Sequence, residues 1–174
     1  MNGTAAHSPL TFDGILPAPF GALGVRMAGE RLTELVFLPS GANQGTGQVS
    51  ARIRPVARAL EAYFNDPTRP FDLPLALVGS PFRHRVWAAL NTIPAGRTTT
   101  YGALARQIGS SARAVGQALG DNPIPIIIPC HRVLSAAGLG GFMHTPNPGQ
   151  DTMQDSFPLT VKRWLLTHEG RRTS

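Results

Sequence analysis

Apolar positions divide the chain into two stretches with different periods. Over residues 10–16, 22–27 and 32–38 they form short alternating or continuous runs, separated by Pro, Gly and a Gly29-Glu30-Arg31 turn, and predict three strands. Ile53, Val56, Ala57, Leu60 and Phe64 then recur three and four apart, the spacing of an amphipathic helix of about four turns. Pro55 suits its first turn, Pro67 and Pro70 close it, and 73–78 predicts a returning strand. No polar cluster in this stretch predicts chemistry, so residues 1–79 read as a supporting sheet-plus-helix lobe.

Gly79-Ser80-Pro81 marks the expected boundary, with Ser80 as an N-cap and Pro81 in the first helical turn. Phe82, Val86, Leu90 and Ile93 form a helical stripe beside Trp87 and Ala89, a turn follows at 94–97, and 98–100 is extended. Two short helices then make a helix-turn-helix pattern. The first runs from Tyr101 to Ile108 and stops at Gly109; the second is capped by Ser110 or Ser111 and runs to about Gly120. Val115 and Leu119 give the second helix its core face, while Ala112, Gly116 and Gly120 leave another face nearly bare, with Arg113 and Gln117 beside it. Interior glycines cost a helix about 1 kcal/mol each relative to alanine. Close approach of another backbone would offset that cost, and the neighbouring Arg favours a phosphate or base over a second helix.

Charge sharpens the division. Residues 1–79 hold six Arg against six acidic residues, whereas 80–174 hold nine Arg and Lys162 against four acids and carry the whole +6. An arginine-rich basic half points to an anionic polymer, nucleic acid above all. With 42% hydrophobic residues the chain can bury a core, and one Cys excludes an internal disulfide or a multi-cysteine zinc site. The sequence lacks an apolar stretch of leader or membrane-spanning length, so a soluble protein without membrane attachment is expected, cytoplasmic (nucleoid-associated) in a bacterium and nuclear in a eukaryote.

The one cysteine, Cys130, sits in Ile126-Ile127-Ile128-Pro129-Cys130-His131-Arg132-Val133. The β-branched run predicts a buried strand, and Pro129 fixes the backbone before the sulfur. His131 and Arg132 place the thiol in a cationic setting, which favours the nucleophilic thiolate. A lone buried structural cysteine is the alternative, and the neighbours weigh against it.

Tyr101, Ala112-Arg113-Ala114-Val115-Gly116, Asn122-Pro123-Ile124-Pro125, the cysteine segment and the run from Lys162 to Gly170 stand in an order that resembles the O6-alkylguanine-DNA alkyltransferases. The resemblance covers nearly all of 80–170, while the first lobe matches in size and layout alone. It implies an α/β (α+β) protein in two lobes, 1–79 and 80–174, that moves an alkyl group from O6 of guanine in double-stranded DNA, and more weakly from O4 of thymine, onto Cys130. It also implies a single turnover, no cofactor, no metal, no obligate protein partner and a monomer. By the same resemblance His131 is the base, acting through a water, and Glu169 orients it. A water relay fits because neighbouring side chains on extended backbone point apart. Arg113 fills the space of a flipped base, while Ala112, Gly116, Gln117 and Arg132 contact DNA. Tyr101 turns the target phosphate and protonates the leaving guanine, and Asn122 is a hinge. Pro125, Val133, Phe142 and Met143 line the pocket, with the carbonyls of Cys130 and Val133 receiving the guanine amine.

One segment departs from the family pattern. Gly140-Gly141-Phe142 opens the expected active-site loop, but 143–158 is over a dozen residues longer than usual and rich in Pro, Gly and amides. It is expected to form either a pocket wall or lid that alters substrate range or an inert mobile loop, with His144 on its surface. Three other functions remain open: a DNA-binding regulator with a redox-sensing cysteine, a non-repairing lesion binder, and a cysteine hydrolase.

Overall fold

A computed structural model describes residues 11–41, 49–144 and 157–170. The first lobe is an antiparallel meander of β1 (Gly14–Ala18), β2 (Gly21–Ala28) and β3 (Arg31–Leu38), followed by helix α1 (Arg54–Asn65). β2 lies centrally, with Leu16 opposite Leu23 and Val25 opposite Leu35, and these four side chains enter the core. The first strand begins later than the apolar run predicts, and Leu10 lies outside the described residues. The returning strand at 73–78 is a correction. Leu75 makes one bridge to Leu32, through Leu32 N–H to Pro74 O (2.9 Å) and Ala76 N–H to Leu32 O (2.9 Å), and Pro74 has no N–H with which to extend a ladder.

In the second lobe α2 (Pro81–Leu90) starts where predicted, with the Ser80 hydroxyl accepting from Arg83 N–H. It ends at Leu90, so Ile93 lies past the helix rather than on its stripe. The two-residue strand β4 (Thr99–Thr100) leads into α3 (Tyr101–Ile108), which Gly109 ends in the left-handed conformation at φ 68°. Ser111 caps α4 (Ala112–Gly120), its hydroxyl accepting from Ala114 N–H at 3.1 Å. Beyond α4 come a 3-10 turn (Cys130–Arg132), strand β5 (Val133–Leu134), which pairs in parallel with β4, and α5 (Phe157–His168). The hydrophobic core continues through both lobes, from Leu23, Leu32 and Leu60 to Trp87, Leu104, Ile128 and Leu165. Phe20 of the first lobe packs edge-on against Trp164 of α5. Among the described residues no helix is long and apolar enough to cross a membrane.

The segment before Cys130 departs most from expectation. Residues 126–128 form a turn, not a strand, with Ile126 at φ 74° and a Pro125–Ile128 bridge. Asn122 closes it, donating from Nδ2 to Ile128 O (2.8 Å) and accepting at Oδ1 from Ile124 N–H (3.0 Å). Pro129, at φ −82° and ψ 64°, then makes an inverse γ-turn, with Cys130 N–H on Ile128 O at 2.8 Å. Three prolines in seven residues leave too few N–H groups for a ladder, and this overrides β propensity.

Candidate active site

The two turns deliver the Cys130 sulfur to the base of a pocket of about 170 Å³ lined by Tyr101, Gly116, Leu119, Gly120, Cys130, Gly141, Phe142, Met143 and His144. The thiol is buried, and burial pushes its pKa up to about 11. Asn122, the Lys162 charge and the backbone N–H groups of Cys130 and His131 act in the opposite direction without prevailing. The expected cationic activation of the resting thiol is therefore corrected: Arg132 faces elsewhere and His131 is neutral, so desolvation dominates. Since residues 130–132 form a 3-10 turn, opposed extended side chains no longer explain an indirect contact between Cys130 and His131.

His131 is fully buried, and its Nε2 meets Glu169 Oε1 at 2.8 Å. Burial lowers the His131 pKa despite that carboxylate. Burial alone would raise the Glu169 pKa, but hydrogen bonds from His131 and Arg132 outweigh it and hold the carboxyl well below its usual range. An ionised carboxylate only accepts, so Nε2 carries the ring proton and Nδ1 presents a lone pair. That Nδ1 has no hydrogen-bond partner among the described residues. The ring thus keeps a buried, unpartnered proton acceptor on the residue next to the cysteine in sequence.

Arg132 is a second correction. Its Nη2 and Nε donate to Glu169 Oε1 (2.8 Å) and Oε2 (3.0 Å), and Nη1 donates to Ile93 O, so the guanidinium faces the protein interior rather than DNA. A carboxylate this deep needs a countercharge, and the neighbouring arginine supplies it in bidentate form. Pro125 and Val133 are buried but do not line the pocket, contrary to expectation; Phe142 and Met143 do. Val133 O already accepts from Lys162 Nζ at 2.8 Å.

Two participants were not singled out by sequence. Tyr63 of α1 donates its hydroxyl to Glu169 Oε1 at 2.8 Å, so the supporting lobe does reach the polar site. Lys162 of α5 is completely buried, donates to Val133 O and to Gly141 O (2.9 Å), and is held by burial at a pKa of about 8. Tyr63 completes the α1 stripe at i+3 from Leu60, a signal of burial though not of its polar partner.

Tyr101 opens α3 and donates its hydroxyl to Gly141 O at 3.0 Å; burial raises its pKa to about 12, so it is a protonated phenol at neutral pH. On α4, Ala112, Arg113 and Gln117 are exposed, and a Cβ on Gly116 would meet nothing within 4 Å among the described residues. Gly120 differs, because the ring of His144 covers it. The bare face open to a groove is therefore shorter than predicted. Of the long segment, 145–156 lie outside the described residues; Met143 and His144 adopt φ 50° and 62°. Among the described residues there is no cluster of three or more metal-ligating side chains.

The model of the 6-O-methylguanine DNA methyltransferase DNA-binding domain matches residues 81–171, just over half of the chain. The chain belongs to the 6-O-methylguanine DNA methyltransferase family. Within that family it is 56% identical over 81 residues to a methylated-DNA–protein-cysteine methyltransferase of Mycolicibacterium paratuberculosis, covering 45% of this chain and 49% of that one. The match thus spans about half of that relative's length. A Thermus thermophilus DNA base-flipping protein is 39% identical over 160 residues, 89% of this chain and 97% of that protein. Among solved structures, the Mycobacterium tuberculosis methyltransferase OGT in complex with DNA superposes with a TM-score of 0.69 at 37% identity, covering 89% of this chain and 90% of that one. These alkyltransferase structures carry the same α/β architecture with an N-terminal sheet lobe.

Proposed function

We propose that the protein repairs O6-alkylguanine in double-stranded DNA by moving the alkyl group directly to Cys130, once per chain. The observation that carries this reading is a shared pocket: Gly116 and Gly120 of the second helix-turn-helix helix line the same cavity as the Cys130 sulfur. A base flipped out beside that helix, at a few kcal/mol of unstacking, would bring its O6 substituent to the thiol. The DNA-bound structural relative and the relative named for base flipping support that geometry.

In the transfer, Cys130 gives its proton through a water to His131 Nδ1, and the sulfur attacks the alkyl carbon in line. The S–C bond forms as the C–O6 bond breaks. Guanine leaves as the neutral base after accepting a proton from the Tyr101 phenol, which is regained from His131 by way of solvent. Glu169 stabilises the imidazolium formed in between. The Lys162 charge and the Asn122 amide, which favour the ionised sulfur at rest, favour it as it develops. Asn122 also acts as a hinge by holding the turn ahead of the cysteine. Arg113 fills the gap in the base stack, and Ala112, Gly116 and Gln117 border the minor groove, about 6 Å wide in B-DNA. Phe142 and Met143 wall the pocket. O4-alkylthymine is a weaker substrate, and the protein works as a cytoplasmic monomer without cofactor or obligate partner.

Intact-mass spectrometry after incubation with a duplex containing O6-methylguanine tests this. One added methyl per chain, mapped to Cys130 and saturating at one equivalent of lesion, is expected. DNA binding without any mass change would overturn repair and leave a lesion-binding protein.

A further inference from the structure

Three donors converge on one oxygen of Glu169. Tyr63 OH, His131 Nε2 and Arg132 Nη2 each lie 2.8 Å from Oε1, whereas Oε2 accepts only Arg132 Nε, at 3.0 Å, among the described residues. Neutralising the buried acid does not require the tyrosine, because bidentate Arg132 already does so. A buried hydroxyl needs an acceptor, but the one Tyr63 has taken is the oxygen on which His131 depends. Its aim is fixed on every side. The Tyr63 ring packs against Phe71 and His168, at centroid separations of 5.4 and 5.3 Å, and the Tyr63 carbonyl pairs with His168 Nε2 at 2.9 Å.

We propose that Tyr63 is a positioning residue of the relay: its hydroxyl fixes the Glu169 carboxylate and, by sharing Oε1, limits how strongly that carboxylate stabilises a protonated His131. The first lobe, in this account, sets the basicity of the base. The inference rests on the proposed role of His131 in alkyl transfer. A carboxylate oxygen offers about two lone pairs, so a third donor weakens its hold on the other two. The positive end of the phenol dipole also lies close to the imidazole proton. Removing the hydroxyl raises the His131 pKa; a stronger donor at the same place lowers it. The other ionisable groups acting on this pair are Arg132 on the 3-10 turn and Lys162 on α5, while His168 on α5 packs against the Tyr63 ring. None of them changes in the test.

The test compares the full-length wild-type protein with Tyr63→Phe and with a chain carrying 3,5-difluorotyrosine at position 63, whose more acidic hydroxyl donates more strongly. The His131 ring is titrated by NMR without DNA, and single-turnover methyl transfer from an O6-methylguanine duplex is followed against pH. Tyr63→Phe should move the His131 midpoint and the acidic limb of the rate profile up by about half a pH unit or more, with the fluorinated residue moving both down. Affinity for the duplex should stay within about twofold. Unmoved midpoints in both proteins would overturn the inference, whatever happens to stability, and the fluorinated chain keeps the test open if Tyr63→Phe does not fold. Absence of methyl transfer in the wild type would instead overturn the repair reading, while the NMR titration still reports on Tyr63.

Discussion

The ring of His144 occupies the space that a side chain on Gly120 would need. A Cβ at Gly120 would lie 2.5 Å from both Cε1 and Nδ1 of that ring. On its far side His144 Nε2 meets Asp121 Oδ1 at 2.8 Å, and Asp121 is also paired with Arg83. Met143 and His144 adopt successive left-handed conformations, which non-glycine residues hold only under constraint. The clamp on Asp121 supplies that constraint at the rim of the cysteine pocket.

Gly120→Ala is therefore expected to displace His144 rather than the helix. Stability should change by less than about 1 kcal/mol, since alanine favours the helix as the clamp is lost. Transfer from O6-benzylguanine relative to O6-methylguanine should rise several-fold as the rim opens, and His144→Ala should behave alike. Competition between the two substrates, read by mass spectrometry, checks this; an unchanged ratio in both variants rules out a gate at the rim.

Arg113 is exposed near the start of α4. If it fills the vacated base stack, Arg113→Ala should slow repair in duplex DNA at least tenfold while leaving reaction with free O6-benzylguanine within about twofold. Equal losses on both substrates would remove Arg113 from base flipping.

Glu169→Gln leaves Arg132 buried without its countercharge, a change that commonly costs about 3–5 kcal/mol. Urea unfolding against pH carries the signature. The Glu169 pKa in the folded state is below the ordinary value of 4.5, so its contribution is complete above that pH and fades as the pH falls towards the folded-state value. The stability gap between wild type and Glu169→Gln should be flat from neutral pH down to about 5, then shrink. A gap independent of pH down to about pH 2 would mean the carboxylate charge is not what stabilises the site.

Lys162→Met removes the buried cation that favours an ionised Cys130. The thiol pKa should rise further above about 11, and alkylation of Cys130 by iodoacetamide at pH 7, where Lys162 with its pKa of about 8 is still charged, should slow about threefold to tenfold. Equal rates would assign Lys162 to holding the carbonyls of Val133 and Gly141 and to nothing else.

Much of this architecture is written in local sequence. Ser80-Pro81, Ser111 and Gly109 mark helix ends because capping acts over three or four residues, and the periodicity of Val56 and Leu60 reports one buried face. The isoleucine run misleads because β propensity is weak beside the donors lost at Pro123, Pro125 and Pro129 and the closure made by Asn122. Arg132 looks like a DNA contact until Glu169, 37 residues on, claims it. Tyr63 gives no polar signal at all, since its partner lies 106 residues away. Local order was legible; of the wiring between distant side chains only the His131–Glu169 pair was anticipated, through the family resemblance, while the contacts of Arg132, Tyr63 and Lys162 were not.

A thiol with a pKa near 11 is ionised in about one molecule in ten thousand at pH 7. Oxidants and stray electrophiles attack the thiolate, so in the absence of a lesion the sulfur of Cys130 is close to inert. Under the proposed single-turnover repair by one cysteine, every accidental oxidation would be a lost repair. Burial that looks unfavourable for a nucleophile thereby acts as storage, keeping the reagent unspent until a base arrives in the pocket.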